Sequence, residues 1–262
     1  MKFIISFLLI NFFFQVNAAD FEKDLKAILE KKKYDELELH ISELNKSLGR
    51  VDAEVKYHRE IVPGFSEGLI YFEKSVPDKK DKSASIIFTY RLRIITNNNL
   101  VIFYDFSEQY LAYAGETDKR IIKKYKSEFD YNDKLMRQVL QDSFKNTFPE
   151  ELRYENLFCD TIVYGHNCGL VATETSAGLR MKAAVEKNDK PLLLSWLQSG
   201  NTELQLYAVE GLYLLKKNGT EILPDELKMI RVIKNKKGEA LSCSGDILSN
   251  ITIYEALKDF VF

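Results

Sequence analysis

The chain has 262 residues, 37 Lys and Arg against 39 Asp and Glu, three His, three Cys and one Trp. That length supports one large domain or two modest ones. The charges are nearly balanced and interspersed, which excludes the basic face that a nucleic-acid partner requires.

Lys2 is followed by an apolar run from Phe3 to Phe14, then by the small residues of Asn17-Ala18-Ala19 and the charged opening at Asp20. Basic, apolar and small, in that order, predict a cleavable secretory signal peptide over residues 1–18. Its apolar core of about a dozen residues falls short of the ~20 that span a bilayer. No Cys precedes Cys159, so the small-residue region offers none for lipid attachment. Cleavage removes Lys2 alone and leaves 36 basic against 39 acidic residues. The expectation is an exported soluble protein, periplasmic or secreted, with no stable membrane insertion.

Residues 21–48 carry helical spacing: Phe21, Leu25, Ile28 and Leu29, then Leu37, Ile41, Leu44 and Leu48, with Gly49 as the stop. From residue 51 the period shortens to two. Val51 to Tyr57 alternates, and Leu69 to Val76, Ser85 to Thr96 and Leu100 to Ala114 complete an antiparallel meander. Asn97-Asn98-Asn99 marks a turn. Arg91 and Arg93 share one side of their strand, so the sheet keeps a wet face. Aromatic residues from Tyr71 to Tyr113 crowd the same strands and read as cross-strand packing. Residues 118–147 return to helical spacing through Ile121, Ile122, Tyr125, Phe129, Leu135, Val139 and Phe144, ending at Pro149.

A connector holding Cys159, His166 and Cys168 leads into helical segments. Asp189 and Asn201 are placed as N-caps, Pro191 fits a first turn, and Gly200 and Gly219 fit C-caps. Ala208 and Gly211 leave room for a neighbouring helix. The stretch from "WLQSGN" to "LQLYAVEGLYLLKKNG" resembles a HEAT-like helical hairpin over roughly residues 175–235, which implies a stack of helix pairs and no particular activity. Together with the connector and Ser242-Cys243-Ser244-Gly245, it is also similar to a group of uncharacterised exported proteins of Bacteroidetes-type bacteria. That group often carries a second Cys where this chain has Asp246, a departure that weakens any paired-cysteine role implied by the resemblance. The expected fold is α+β: an N-terminal helix on an antiparallel β-meander, then an all-α HEAT-like region. The boundaries are 1–18 signal peptide, 19–148 helix plus sheet, 149–174 cysteine-containing connector and 175–262 helical region.

Three sets of residues could carry chemistry. Gly64-Phe65-Ser66-Glu67-Gly68 matches a nucleophile elbow, but the elbow needs strand, turn and helix, and a strand-like segment follows here. A hydrolase using Ser66 or Cys159 with His166 is therefore the alternative to a binding module. Cys159 and Cys168 bracket a Gly-containing turn, so in an oxidising compartment they are the candidate disulfide; the other pairings and three reduced thiols stay open. Cys159, His166, Cys168 and Cys243 also have the residue types of a Cys3His zinc site, although C-x6-H-x-C is not a familiar ligand spacing. A small-ligand carrier would need an apolar cavity of ~300 Å3 or more. No cofactor is implied and no catalytic, metal or cofactor-binding residue is assigned. The expected function is a non-catalytic binding or scaffolding module whose partner is another protein or an envelope component.

Overall fold

The described residues begin with two helices where the sequence suggests one long one. α1 (Phe21–Glu30) and α2 (Tyr34–Lys46) are separated by a break at Lys32, whose φ is +58°. The turn of the sheet explains the break: Tyr34 N donates to Asn99 O at 2.9 Å and Val101 N to Lys32 O at 2.9 Å. The structure, a computed structural model, describes residues 21–46, 50–78, 84–113, 121–169 and 173–262. The expected signal peptide lies outside the described residues.

Five antiparallel strands follow in sequence order: β1 (Val51–Val62), β2 (Phe65–Pro77), β3 (Ser85–Asn97), β4 (Leu100–Tyr113) and β5 (Ile121–Asn132). Directly opposed residues share a face, so the register sorts the side chains. Ile70, Phe72, Tyr90, Leu92, Ile94, Tyr104 and Phe106 point towards α1 and α2, where Phe21 packs 5.2 Å from the Phe72 ring. Leu69, Ile95 and Ile102 point the other way, into a second core built with Leu140 and Phe144 of α3 (Lys134–Thr147) and with the C-terminal helices. The result is three layers, helix–sheet–helix.

The C-terminal layer comprises α4 (Ser176–Glu186), α5 (Lys190–Leu197), α6 (Thr202–Lys217) and α7 (Pro224–Lys234), then β6 (Glu239–Ser244), β7 (Ile247–Thr252) and the short α8 (Ile253–Leu257). Asp189 and Asn201 cap α5 and α6 by accepting from Leu192 N and Leu204 N. Gly211 lets the helices close, because a Cβ there would meet Leu193 Cδ2 at 2.8 Å.

The expected plan is corrected in three places. The N-terminal region is strand-rich, five strands between helices, rather than one helix on a meander. Residues 121–132 are strand, not helix: their isoleucines and aromatics satisfy both periods, and pairing with β4 along the whole length decides the outcome. The helix begins only at Lys134, where Asp133 caps it by accepting from Met136 N at 3.1 Å. The last region is mixed, not all-α, because β6 and β7 form a hairpin across Gly245-Asp246.

Candidate functional site

The residues proposed for nucleophilic chemistry are not brought together. Gly64 lies in the two-residue turn between β1 and β2, while Ser66 pairs with Glu60 and Thr96 and Gly68 with His58 and Ile94. The motif is a hairpin turn and the first residues of β2, flanked by β1 and β3, and forms no elbow. Cys159 Sγ lies 3.4 Å from Thr161 Oγ1. His166 hydrogen-bonds to neither Ser66 nor Cys159; both ring nitrogens are taken by carboxylates, Nδ1 facing Glu174 Oε1 at 2.7 Å and Nε2 facing Glu210 Oε2 at 3.0 Å. An imidazolium donates to both at once. The hydrogen bond to Glu210 therefore raises the His166 pKa against the opposing effect of burial, and Glu174 adds to it. Lys182 also contacts Glu174, and the Tyr164 hydroxyl donates to Glu210 Oε2 at 3.0 Å. This cluster clasps the connector to α4 and α6.

The disulfide joins Cys168 to Cys243, with Cα atoms 5.4 Å apart, and Cys159 is a free, partly buried thiol. The expected Cys159–Cys168 pairing is thereby corrected. The physical reason is that the connector runs beside β6: Tyr164 N donates to Leu241 O at 2.8 Å, Cys243 N to Tyr164 O at 3.1 Å and Gly169 N to Gly245 O at 2.6 Å. That alignment sets Cys168 against Cys243. The same oxidation removes two thiolates from the Cys3His set considered for zinc.

Beneath the C-terminal layer lies a fully buried ionic network. Arg59 of β1 donates through Nε to Glu67 Oε1 at 2.8 Å and through Nη1 to Glu203 Oε1. Glu67 Oε2 accepts Phe158 N at 2.6 Å, and Glu203 Oε1 accepts Leu241 N at 2.9 Å. Lys236 Nζ donates to Gln205 Oε1 at 2.8 Å, and burial lowers its pKa to about 7. Sheet, connector, α6 and β6 thus meet on one guanidinium. Arg59 is held charged by Glu203 and Glu67 in spite of burial. These groups lie in the interior, where they position one layer on the other.

The two sheet faces are covered unequally, and that inequality creates a surface. Two cross-strand rows lie on the face shared with the C-terminal layer: Glu54–Tyr71–Arg91–Ser107–Ser127, and Asp52–Glu73–Thr89–Gln109–Tyr125. Helices bury the Leu69 and Ile95 end of that face, whereas Asp52, Glu54, Glu73 and Ser127 are exposed and Tyr71, Arg91 and Tyr125 half-buried. The Arg91 guanidinium stacks 3.4 Å above the Tyr125 ring, and its Nε is buried without a hydrogen-bond partner. Arg93, two residues on, binds Asp105 Oδ2 through Nε at 3.1 Å and Nη2 at 2.7 Å. Arg91 itself forms no ion pair among the described residues. Burial, then the neighbouring Arg93, pushes its pKa down.

At one margin the Tyr71 hydroxyl donates to Asp160 Oδ2 at 2.6 Å. Beyond it a cavity of about 310 Å3 opens between β1 and the β6–β7 hairpin, lined by Glu54, Lys56, Asp160, Leu241, Leu248 and Asn250 among others. The mixture of charged and apolar groups suits a polar contact better than the apolar chamber a ligand carrier needs. Sequence reasoning found the wet face through Arg91 and Arg93 but missed Tyr125, which it placed on a helix. The signal that could have found it is the strand reading of Ile121 to Asn132, rich in isoleucine and aromatics and stopped by Asn132-Asp133.

No protein family, no curated protein and no solved structure matches this chain.

Proposed function

We propose that this chain is a non-catalytic binding module, exported from the cytoplasm, whose contact surface is the uncovered part of the five-stranded sheet around Tyr71, Arg91 and Tyr125. The observation that carries the reading is Arg91: a half-buried guanidinium with no ion pair among the described residues, set on the sheet at the edge of its open surface. A structural arginine is answered by carboxylates, as Arg59 is; one left unanswered beside solvent is what a docking surface offers. Export is supported by the order of residues 1–19 and by a disulfide, which persists in oxidising compartments. No helix among the described residues is long and apolar enough to cross a membrane.

The test is a pair of affinity captures from the native envelope fraction. One uses the wild-type chain and the other Gln109→Trp, which places a bulky ring on the open face while leaving both cores untouched. A protein retained by the first and lost by the second is the expected result. Equal retention by both would remove the open face from consideration as the contact surface.

A further inference from the structure

The open face carries an ordered charge pattern. Its positive end is the Arg91 guanidinium, leaning from β3 over Tyr125 of β5, with exposed Lys123 beyond it. Its negative end is the directly opposed pair Asp52 and Glu73 on β1 and β2. Like charges facing each other across two strands repel, and neither residue forms an ion pair among the described residues. Between the two ends lie the half-buried Thr89 and Gln109, groups that both donate and accept hydrogen bonds. Arg93 adds no net charge here because Asp105 neutralises it.

We infer that the face seats an extended segment of a partner protein, with an acidic side chain on Arg91 and a basic side chain on Asp52 and Glu73. This rests on the binding-module reading above. Strands are spaced about 4.8 Å apart; Arg91 is anchored on β3, one interval from Glu73, and its guanidinium reaches across towards Tyr125 of β5, so the two ends lie between about 10 and 14 Å apart, and an extended segment covers the longer of these with about four residues. Residues four apart on an extended chain point to the same side, so both charges reach the face together. A single guanidinium that no carboxylate among the described residues compensates matches a single carboxylate. The ring covers one face of the guanidinium and burial closes its Nε, so a carboxylate would approach coplanar with the terminal Nη1 and Nη2. A phosphate dianion would call for a second converging cation; Arg93 is already bound to Asp105, and Lys123 stands two residues beyond Tyr125 along β5.

The test uses fluorescence anisotropy with labelled nine-residue peptides and the full mature chain. One peptide carries Glu-x-x-x-Lys in a Ser/Thr background, a second has Glu and Lys adjacent, and a third replaces Glu by Gln. The first is expected to bind saturably and the other two about tenfold more weakly, since a charge-assisted hydrogen bond is worth roughly 1.4 kcal/mol or more. Arg91→Gln is expected to weaken the first peptide by the same about tenfold and the Gln peptide no further, the coupling that a direct contact requires. Glu73→Gln should weaken it independently. Equal binding to wild type and Arg91→Gln overturns the assignment, as does equal binding of the adjacent-charge peptide. Displacement by inorganic phosphate at concentrations where acetate has no effect would also overturn it. If the captures with Gln109→Trp succeed while every peptide fails, the open face stands as the contact surface and this ligand class falls.

Discussion

Two arginines on the same face of one sheet have opposite fates. Arg59 is fully buried under the C-terminal layer and answered by Glu67 and Glu203, carboxylates from 8 and 144 residues away. Arg91 is half-buried in the open part, lies on an aromatic ring and finds no carboxylate among the described residues. Residue type and strand environment are alike; what differs is whether the fold supplies the counter-charge. Where it does, the charge locks layers together. Where it does not, the charge remains for something outside the chain.

The largest expected effect breaks the first half of that comparison. Arg59→Met leaves two buried carboxylates without their cation, and urea unfolding should show a loss of about 5 kcal/mol. A loss under about 1 kcal/mol would mean that the network does not hold the layers. Removing the Cys168–Cys243 bridge, which spans 75 residues, is expected to cost about 4 kcal/mol on chain-entropy grounds. Intact protein unfolded without reductant should yield one titratable thiol per chain, Cys159. Alkylation at Cys243 in that experiment would contradict the assigned pairing.

Two pH dependences with opposite signs come next. Lys236 has a folded pKa near 7, below its value in the unfolded chain. Between there and about pH 10.5 the unfolded state binds more protons, so this group makes stability rise with pH. Lys236→Met should flatten that rise by about 2 to 3 kcal/mol between pH 7 and 9. His166 behaves oppositely, because its folded pKa is raised. Its contribution is complete below about pH 6.5 and is lost as pH climbs through the folded value. His166→Gln should therefore be less stable than wild type at pH 6, by on the order of 1 kcal/mol after allowing for its exposure to solvent. The two should converge at pH 9, and a constant gap across that range would rule out titration of His166 as its source. Arg91→Gln is expected to alter stability least, within about 0.5 kcal/mol. A large loss there would recast Arg91 as a structural group like Arg59.

Local signals were readable in the sequence. The N-caps Asp189 and Asn201 and the wet side of β3 at Arg91 and Arg93 follow from residue type and spacing. Long-range outcomes were not. Ile121, Ile122, Tyr125 and Phe129 fit helix and strand spacing equally, and only pairing with β4 makes them a strand. The short strands either side of Gly245-Asp246 were overlooked because six residues carry little periodicity. Cys168 meets Cys243 because a connector lies along β6, a contact 75 residues long in sequence that nearest-neighbour spacing does not reveal. Glu203 is an acid in the first turn of α6, a common position for one, so residue type and spacing do not reveal that it is the buried partner of Arg59.

The contrast between the two arginines can be read from their side-chain Nε–Hε resonances in a 1H–15N correlation spectrum, recorded while the Glu-x-x-x-Lys peptide is added. Arg91 is expected to shift and saturate while Arg59 and Arg93, already held by carboxylates, stay in place. A spectrum in which Arg91 remains still, or in which Arg93 moves instead, would contradict the claim that the open face is where this chain meets its partner.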